Sequence, residues 1–397
     1  MSGPANNAPL TVGLLWHSIN SGNLGVGALT VGNMALLRRA CAAMHCPVRF
    51  IILGFADRGQ PAYIDGDDIE YVPLDARAML PGGAFNRAIG QCDLVVDIGG
   101  GDSWTDIYSN KRFAFLWWSK VRSVQLGIPL IMAPQTIGPF SKPLHSWLAA
   151  RIMERAALVV ARDPDSLRAA EQMAPRANLF EAVDVAFAMP HTPWPRHGTK
   201  PTIGINVSGL LFNRGYDGKS SFGMEIDYAA YTRSLLAQLL SRQDLRVELI
   251  CHVNSDVMPV DDDGRVAEAL QREFPDIAAV RKFASPVEAK SCIASLDFLV
   301  AGRMHACIAA YSTGVAVLPV AYSRKFSGLF AGVLGYPDGV PVRGVSTDAA
   351  VAMTLEAIER REKLALATRS GRDIAAHRLD GYVQQLERQI AEVRRGR

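Results

Sequence analysis

Short apolar runs alternate with longer amphipathic stretches from the start of the chain, the pattern of buried strands separated by crossover helices. TVGLLW (11–16), PVRFIILGF (47–55), CDLVVDI (92–98), IPLIMAP (128–134) and AALVVAR (156–162) predict buried parallel strands. ALTVGNMALLRRACAAM, FAFLWWSKVRSVQLG and SWLAARIMERA, which lie between them, predict helices. Together they make one doubly wound sheet.

MPHTPWPRHGTKP (189–201) then packs four prolines into a short polar stretch, a composition that discourages helix and central strand alike. Beyond it the pattern restarts. PTIGINVS (201–208), LRVELICHV (245–253), LDFLVAG (296–302) and GVAVLPVAY (314–322) predict strands, with helices near 227–242, 263–273 and 286–295. STDAAVAMTLEAIERREKLALAT and LDGYVQQLERQIAEVRRGR predict closing helices. The fold class is therefore α/β, with two Rossmann-like doubly wound domains at 1–190 and 200–345 and C-terminal helices at 346–397. Such domains bind ligands at the carboxyl ends of their strands, so the expected site is the cleft between them.

Composition narrows the picture. A chain of 397 residues, 49% of them hydrophobic, exceeds what a single core usually sustains. The formal charge of +3, with both signs interspersed, gives no reason to expect a nucleic-acid partner. The six cysteines, Cys41, Cys46, Cys92, Cys251, Cys292 and Cys307, lie scattered in apolar surroundings without metal-ligand spacing, which predicts buried free thiols and no metal site. With no leader-like N-terminus and no apolar run of spanning length, a soluble, cytoplasmic protein is expected.

In this fold class the chemistry lies at the strand ends. The first strand leads into HSINSGNLGVGAL, where Gly22, Gly25 and Gly27 precede an apolar helix. Glycines there let backbone amides approach an anion, although a tight turn explains them equally. DIGGGDSW brings Gly99, Gly100, Gly101 and Asp102 to the end of the third strand. APQTIGPFS sets Gln135 and Thr136 after the fourth, and ARDPDS sets Arg162 at the mouth of the fifth. In AGRMHA, Arg303 and His305 stand in the first turn of a helix, where cations are unfavourable unless an anion compensates. Arg303 offers a planar fork for carboxylate or phosphate, and His305 can move a proton near neutral pH. The bland alternative is a salt-bridged arginine and a histidine bonded to a carbonyl. AYSRKFSGLF adds Arg324 and Lys325 at the next strand end.

NSGNLGVGAL, DLVVDIGGGD, APQTIGPF, ARDPDS, VDVAF and LVAGRMHACIAAYSTGVAVLPVAYSRK together resemble the polysaccharide pyruvyl transferase family over about residues 11–335. The resemblance implies a GT-B-like arrangement with a central cleft. It also implies transfer of pyruvate from phosphoenolpyruvate to a sugar of an exopolysaccharide or its lipid-linked precursor, forming a cyclic ketal and releasing phosphate. Arg162, Arg303 and Lys325 would hold phosphoenolpyruvate, and His305 would be the acid/base residue. Asn23, Gly100, Gly101, Asp102 and Gln135 are candidates for acceptor contacts or for holding loops. No cofactor beyond the donor substrate is implied. One departure concerns the glycine turn, which here reads Gly25-Val26-Gly27 where relatives often carry an acid. A GT-B glycosyltransferase using a nucleotide sugar is the alternative, and a non-catalytic sugar- or anion-binding protein is a third reading. The basic tail EVRRGR is a candidate for peripheral contact with a membrane carrying the acceptor; a solvated helix end accounts for it as well.

Overall fold

The first sheet is built from eight parallel strands: β1 (Leu10–Leu15), β2 (Val48–Gly54), β3 (Ile69–Pro73), β4 (Leu94–Asp97), β5 (Ser103–Trp104), β6 (Leu130–Ile137), β7 (Leu158–Ala161) and β8 (Leu179–Glu181). They run in the order β3-β2-β1-β4-β6-β7-β8, with β5 paired to β6. Every residue of β4, β6 and β7 is buried, as expected of strands covered on both faces by helices. The second sheet contains β9 (Thr202–Asn206), β10 (Arg246–Ile250), β11 (Ala279–Arg281), β12 (Phe298–Ala301) and β13 (Ala316–Pro319), all parallel, in the order β11-β10-β9-β12-β13. The strand order reverses direction at β1/β4 in one sheet and at β9/β12 in the other, the switch points where open α/β sheets bind ligands.

This computed structural model describes residues 8–396 except 56, 58, 197, 217, 220, 221 and 257; of 101, 102 and 324 it describes the backbone alone. The chain divides into two compact units. The first comprises residues up to Ser21, Leu29–Met189 and Ala375 onward, and the second comprises Gly22–Ala28 and Pro190–Ile374. The glycine turn after β1 therefore belongs with the second sheet. The C-terminal helices, expected as a separate element, instead divide between the two units. Thr347–Glu359 and the first part of the 35-residue helix Arg361–Arg395 belong to the second unit, and the rest of that helix belongs to the first. Two glycines inside the long helix make this packing feasible. A Cβ on Gly371 would lie 2.0 Å from the Tyr311 hydroxyl, and one on Gly381 would lie 3.0 Å from the Phe180 ring.

The edge strands β3, β8 and β11 have no counterpart in the predicted elements. Their residues are mostly half-buried, so they lack the continuous apolar run that marks an interior strand. All six cysteines are buried thiols, and burial pushes Cys41, Cys92 and Cys292 up to about 12.

Candidate active site

In the second unit, the carboxyl ends of β9, β10 and β12 converge on Asp263. Its Oδ1 accepts from Gly209 N (2.9 Å) and from Arg303 Nε and Nη2 (3.1 and 2.7 Å). Its Oδ2 accepts from Asn206 Nδ2 (3.1 Å), His252 N (3.0 Å) and Val253 N (3.1 Å). Asn206, the last residue of β9, completes the join by accepting from Arg303 N through Oδ1 at 3.0 Å. Arg303 Nη2 also donates to the carbonyl oxygen and Oδ1 of Asp261, both at 2.7 Å. The anion that the sequence demands for Arg303 is thus supplied by the chain itself, as two carboxylates from the segment after β10. This guanidinium fixes the start of the Met304–Thr313 helix, whose N-cap is Arg303 itself.

His305 stands one residue into that helix, partly buried. The glycine turn packs against it: a Cβ on Gly25 would fall 2.4 Å from His305 Nδ1 and 2.9 Å from Cγ. The turn is tied down along residues 252–254. Leu24 N donates to His252 O (3.1 Å), Asn254 N donates to Gly22 O (2.9 Å), and Asn23 forms an antiparallel bridge with Val253. Asn23 Oδ1 accepts from Gly25 N at 3.0 Å, so its side chain shapes the turn. Glycine at position 25 therefore makes room for an imidazole, a use that neither sequence expectation, a tight turn or an approach of backbone amides to an anion, included.

His252, absent from the predicted site, is buried at the end of β10. Burial, with His305 and Arg303 nearby, lowers its imidazole to about 3, so it is neutral at working pH. A neutral imidazole and a guanidinium matched by two carboxylates thus stand close to His305. Lys325 follows the neighbouring strand β13 at the same sheet edge and is partly buried; the side chain of Arg324 lies outside the described residues.

In the first unit, Arg162, Gln135 and Gly99 make contacts within the protein. Arg162 is only 2% exposed, and its Nη1 pairs with Asp184 Oδ2 at 3.0 Å, so it does not stand at an open mouth. The ARDPDS and VDVAF segments are thereby joined by an ion pair. Gln135 is fully buried and donates from Nε2 to Asp97 Oδ2 (3.2 Å), Asp97 O (3.3 Å) and Ala133 O (3.2 Å), so of the two roles open to it, acceptor contact or holding the chain, its amide performs the second by tying β4 to β6. Gly99 and Gly100 both sit at φ +68° in the single turn Gly99–Asp102, a conformation that favours glycine. A Cβ on Gly99 would meet Gln135 Oε1 at 2.3 Å, so this glycine also accommodates a side chain of the protein. Gly100 O accepts from Arg112 Nη2 at 2.6 Å, and the Asp102 carboxylate and the surroundings of Gly101 lie outside the described residues. Among the described residues no group of three or more His, Cys, Asp or Glu side chains is placed to hold a metal ion.

Asp263, Asn206 and His252 escaped the sequence reading. Each carried a weak signal: a polar residue closing an apolar strand run in GINVS and ICHV, and an acid run, DDDG, just before a helix.

Several solved structures share the fold. A UDP-N-acetylglucosamine 2-epimerase from Listeria monocytogenes matches with a TM-score of 0.60 at 11% identity, over 97% of this chain and 98% of that one. The UDP-GlcNAc 2-epimerase of Neisseria meningitidis, bound to UDP-GlcNAc, matches with a TM-score of 0.54 at 11% identity, over 97% and 98%. Anabaena HepE, in complex with UDP and glucose, matches with a TM-score of 0.51 at 13% identity, over 96% and 98%. At such identities the likeness shows the fold alone, two Rossmann-like α/β domains of the GT-B class. No curated protein matches the chain by sequence. A family model described as polysaccharide pyruvyl transferase matches residues 32–324, well over half of the 397 residues and a span that includes Asp261, Asp263, Arg303 and His305. The chain belongs to the polysaccharide pyruvyl transferase family.

Proposed function

We propose that the protein transfers pyruvate from phosphoenolpyruvate to a pair of hydroxyls on a sugar of an exopolysaccharide or its lipid-linked precursor, forming a ketal and releasing phosphate. The observation that carries this reading is His305, seated at the head of a helix between the Gly25 turn and a neutral His252 and within the span matched by the family.

Protonation of C3 of phosphoenolpyruvate leaves a cation at C2, which one sugar hydroxyl attacks. The C2–O bond to phosphate then breaks, and the neighbouring hydroxyl closes the ketal. One hydroxyl proton is balanced by the proton taken up at C3, and the other departs with the phosphate. The chain must therefore supply a proton-transfer group and fixed positive charge for the leaving group. His305 takes the first role and Lys325 the second. Arg303, already matched by Asp261 and Asp263, holds the helix start in place. Arg162, buried against Asp184, is given no substrate contact.

Phosphate release from phosphoenolpyruvate tests this across a panel of aryl glycosides and lipid-linked oligosaccharides, beside His305→Ala. Release is expected only with an acceptor and is lost in the variant, while the affinity for phosphoenolpyruvate stays within about tenfold. Normal turnover by His305→Ala would remove that residue from the mechanism. The likeness to HepE, which holds UDP and glucose, favours nucleotide-sugar transfer as a second reading. Consumption of a UDP-sugar, with no phosphate released from phosphoenolpyruvate, would select it.

A further inference from the structure

We propose that the first unit carries a docking surface for an anionic lipid bilayer, formed where the loop Asp106–Ser109 meets the first turns of the helix Pro143–Met153. The join is made by Asp106, whose carboxylate accepts from Ser141 N (2.8 Å), Ser141 Oγ (3.1 Å), Lys142 N (3.2 Å) and His145 Nδ1 (3.0 Å). Lys142 Nζ reaches back to Asn110 Oδ1, and the His145 ring stacks on Phe113 with centroids 4.1 Å apart. These contacts hold the residues that follow Asp106 beside the start of the helix.

What they present is apolar and uncovered. Ile107 is 55% exposed, Tyr108 56%, Leu144 63% and Trp147 56%. Single exposed apolar residues need no explanation, but four large ones on two short segments that a buried carboxylate joins do. Their neighbours are predominantly cationic, with Glu154, paired to Arg151 at 3.5 Å, as the acid at the far end of the helix. Residues 105–112 and 139–151 contain Lys111, Arg112, Lys142 and Arg151 against a single acid, Asp106, which is turned inward and saturated. The cations also sit beside the rings: the Arg112 guanidinium lies 4.8 Å from the Tyr108 centroid and that of Arg151 lies 5.7 Å from Trp147.

Tyrosine and tryptophan with an apolar body and a polar edge, interleaved with leucine and isoleucine and flanked by cations, match the boundary between acyl chains and anionic headgroups. A second copy of this chain fits less well, because a two-fold contact would set the same cations against each other. Among the described residues no helix is long and apolar enough to cross a membrane, so the contact would be peripheral. The inference does not depend on the reaction assigned above.

The test is sedimentation of the full chain with vesicles of phosphatidylcholine alone and of phosphatidylcholine with phosphatidylglycerol. Binding is expected to the anionic vesicles and to weaken with salt. Lys111→Ser combined with Lys142→Ser should lower the partition coefficient about 25-fold, taking a factor of about five for each cation near an anionic surface. Leu144→Ser combined with Trp147→Ser should lower it at least as much. Brominated acyl chains should quench the wild-type tryptophan fluorescence, and Trp147→Phe should lose that quenching. The substituted positions are exposed, and unchanged circular dichroism and melting temperature would show that the variants remain folded. Absence of binding, equal binding to neutral vesicles, or binding unchanged in both double variants would overturn the proposal. So would self-association that the Leu144/Trp147 variant abolishes, which would assign the face to a second copy.

Discussion

Replacing Gly25 by alanine tests whether the glycine turn exists to seat His305. The new Cβ would lie 2.4 Å from Nδ1, 2.9 Å from Cγ and 3.1 Å from Asn23 Oδ1. Unstrained contact requires about 3.5 Å, so the imidazole or the turn must yield by about 1 Å. The whole ring is affected, because the clash reaches its root and not only its edge. Gly25 is not among the residues at positive φ, and it lies in the first turn of the helix Leu24–Ala43, where alanine gains up to about 1 kcal/mol in helix propensity. The backbone therefore tolerates the change, and the melting temperature should shift by only a few degrees.

A proton-transfer group displaced by about 1 Å costs about 100-fold in rate. Gly25→Ala should accordingly lower kcat for acceptor-dependent phosphate release by about that factor, with little change in the thermal shift produced by phosphoenolpyruvate. The double variant with His305→Ala supplies the control. If Gly25 acts through His305, the double variant is no slower than His305→Ala alone. Wild-type kcat in Gly25→Ala, or a large additional loss in the double variant, would refute the reasoning.

Two further predictions concern the groups around this site. Asp263→Asn leaves Arg303 short of a buried counter-charge and turns an amide toward existing donors, so stability should fall by about 3–5 kcal/mol in urea unfolding. The buried His252 contributes to acid sensitivity: its folded value of about 3 lies below the ordinary 6.5, so the unfolded chain binds the extra proton. Its contribution is fully present above pH 6.5 and is lost as pH falls from 6.5 toward 3, by about 1.4 kcal/mol per pH unit. Between pH 7 and 5 the wild type should therefore lose about 2 kcal/mol more than His252→Gln, and equal losses would count against a neutral buried imidazole.

Local sequence was enough to locate the interior strands and the helices between them. IPLIMAP and LDFLVAG read as strands because burial on both faces demands an unbroken apolar run, and β6 and β12 are buried throughout. The same rule hides β3, β8 and β11, which are edge strands with little apolar signal. At the site, sequence showed that a glycine at 25 and a cation–histidine pair at 303 and 305 required explanation. It did not show that these explain each other, since 280 residues separate Gly25 from His305 and no periodicity spans that distance. The counter-charge of Arg303 was equally out of reach. Asp263 lies 40 residues earlier, in a segment that locally is only the start of a helix. It becomes the partner because β9 lies between β10 and β12, which brings the end of β10 and the Arg303 turn around one carboxylate. Apolar periodicity dictates where the backbone is buried, but the partner of a buried charge is chosen by strand order, and strand order exists only in the folded molecule.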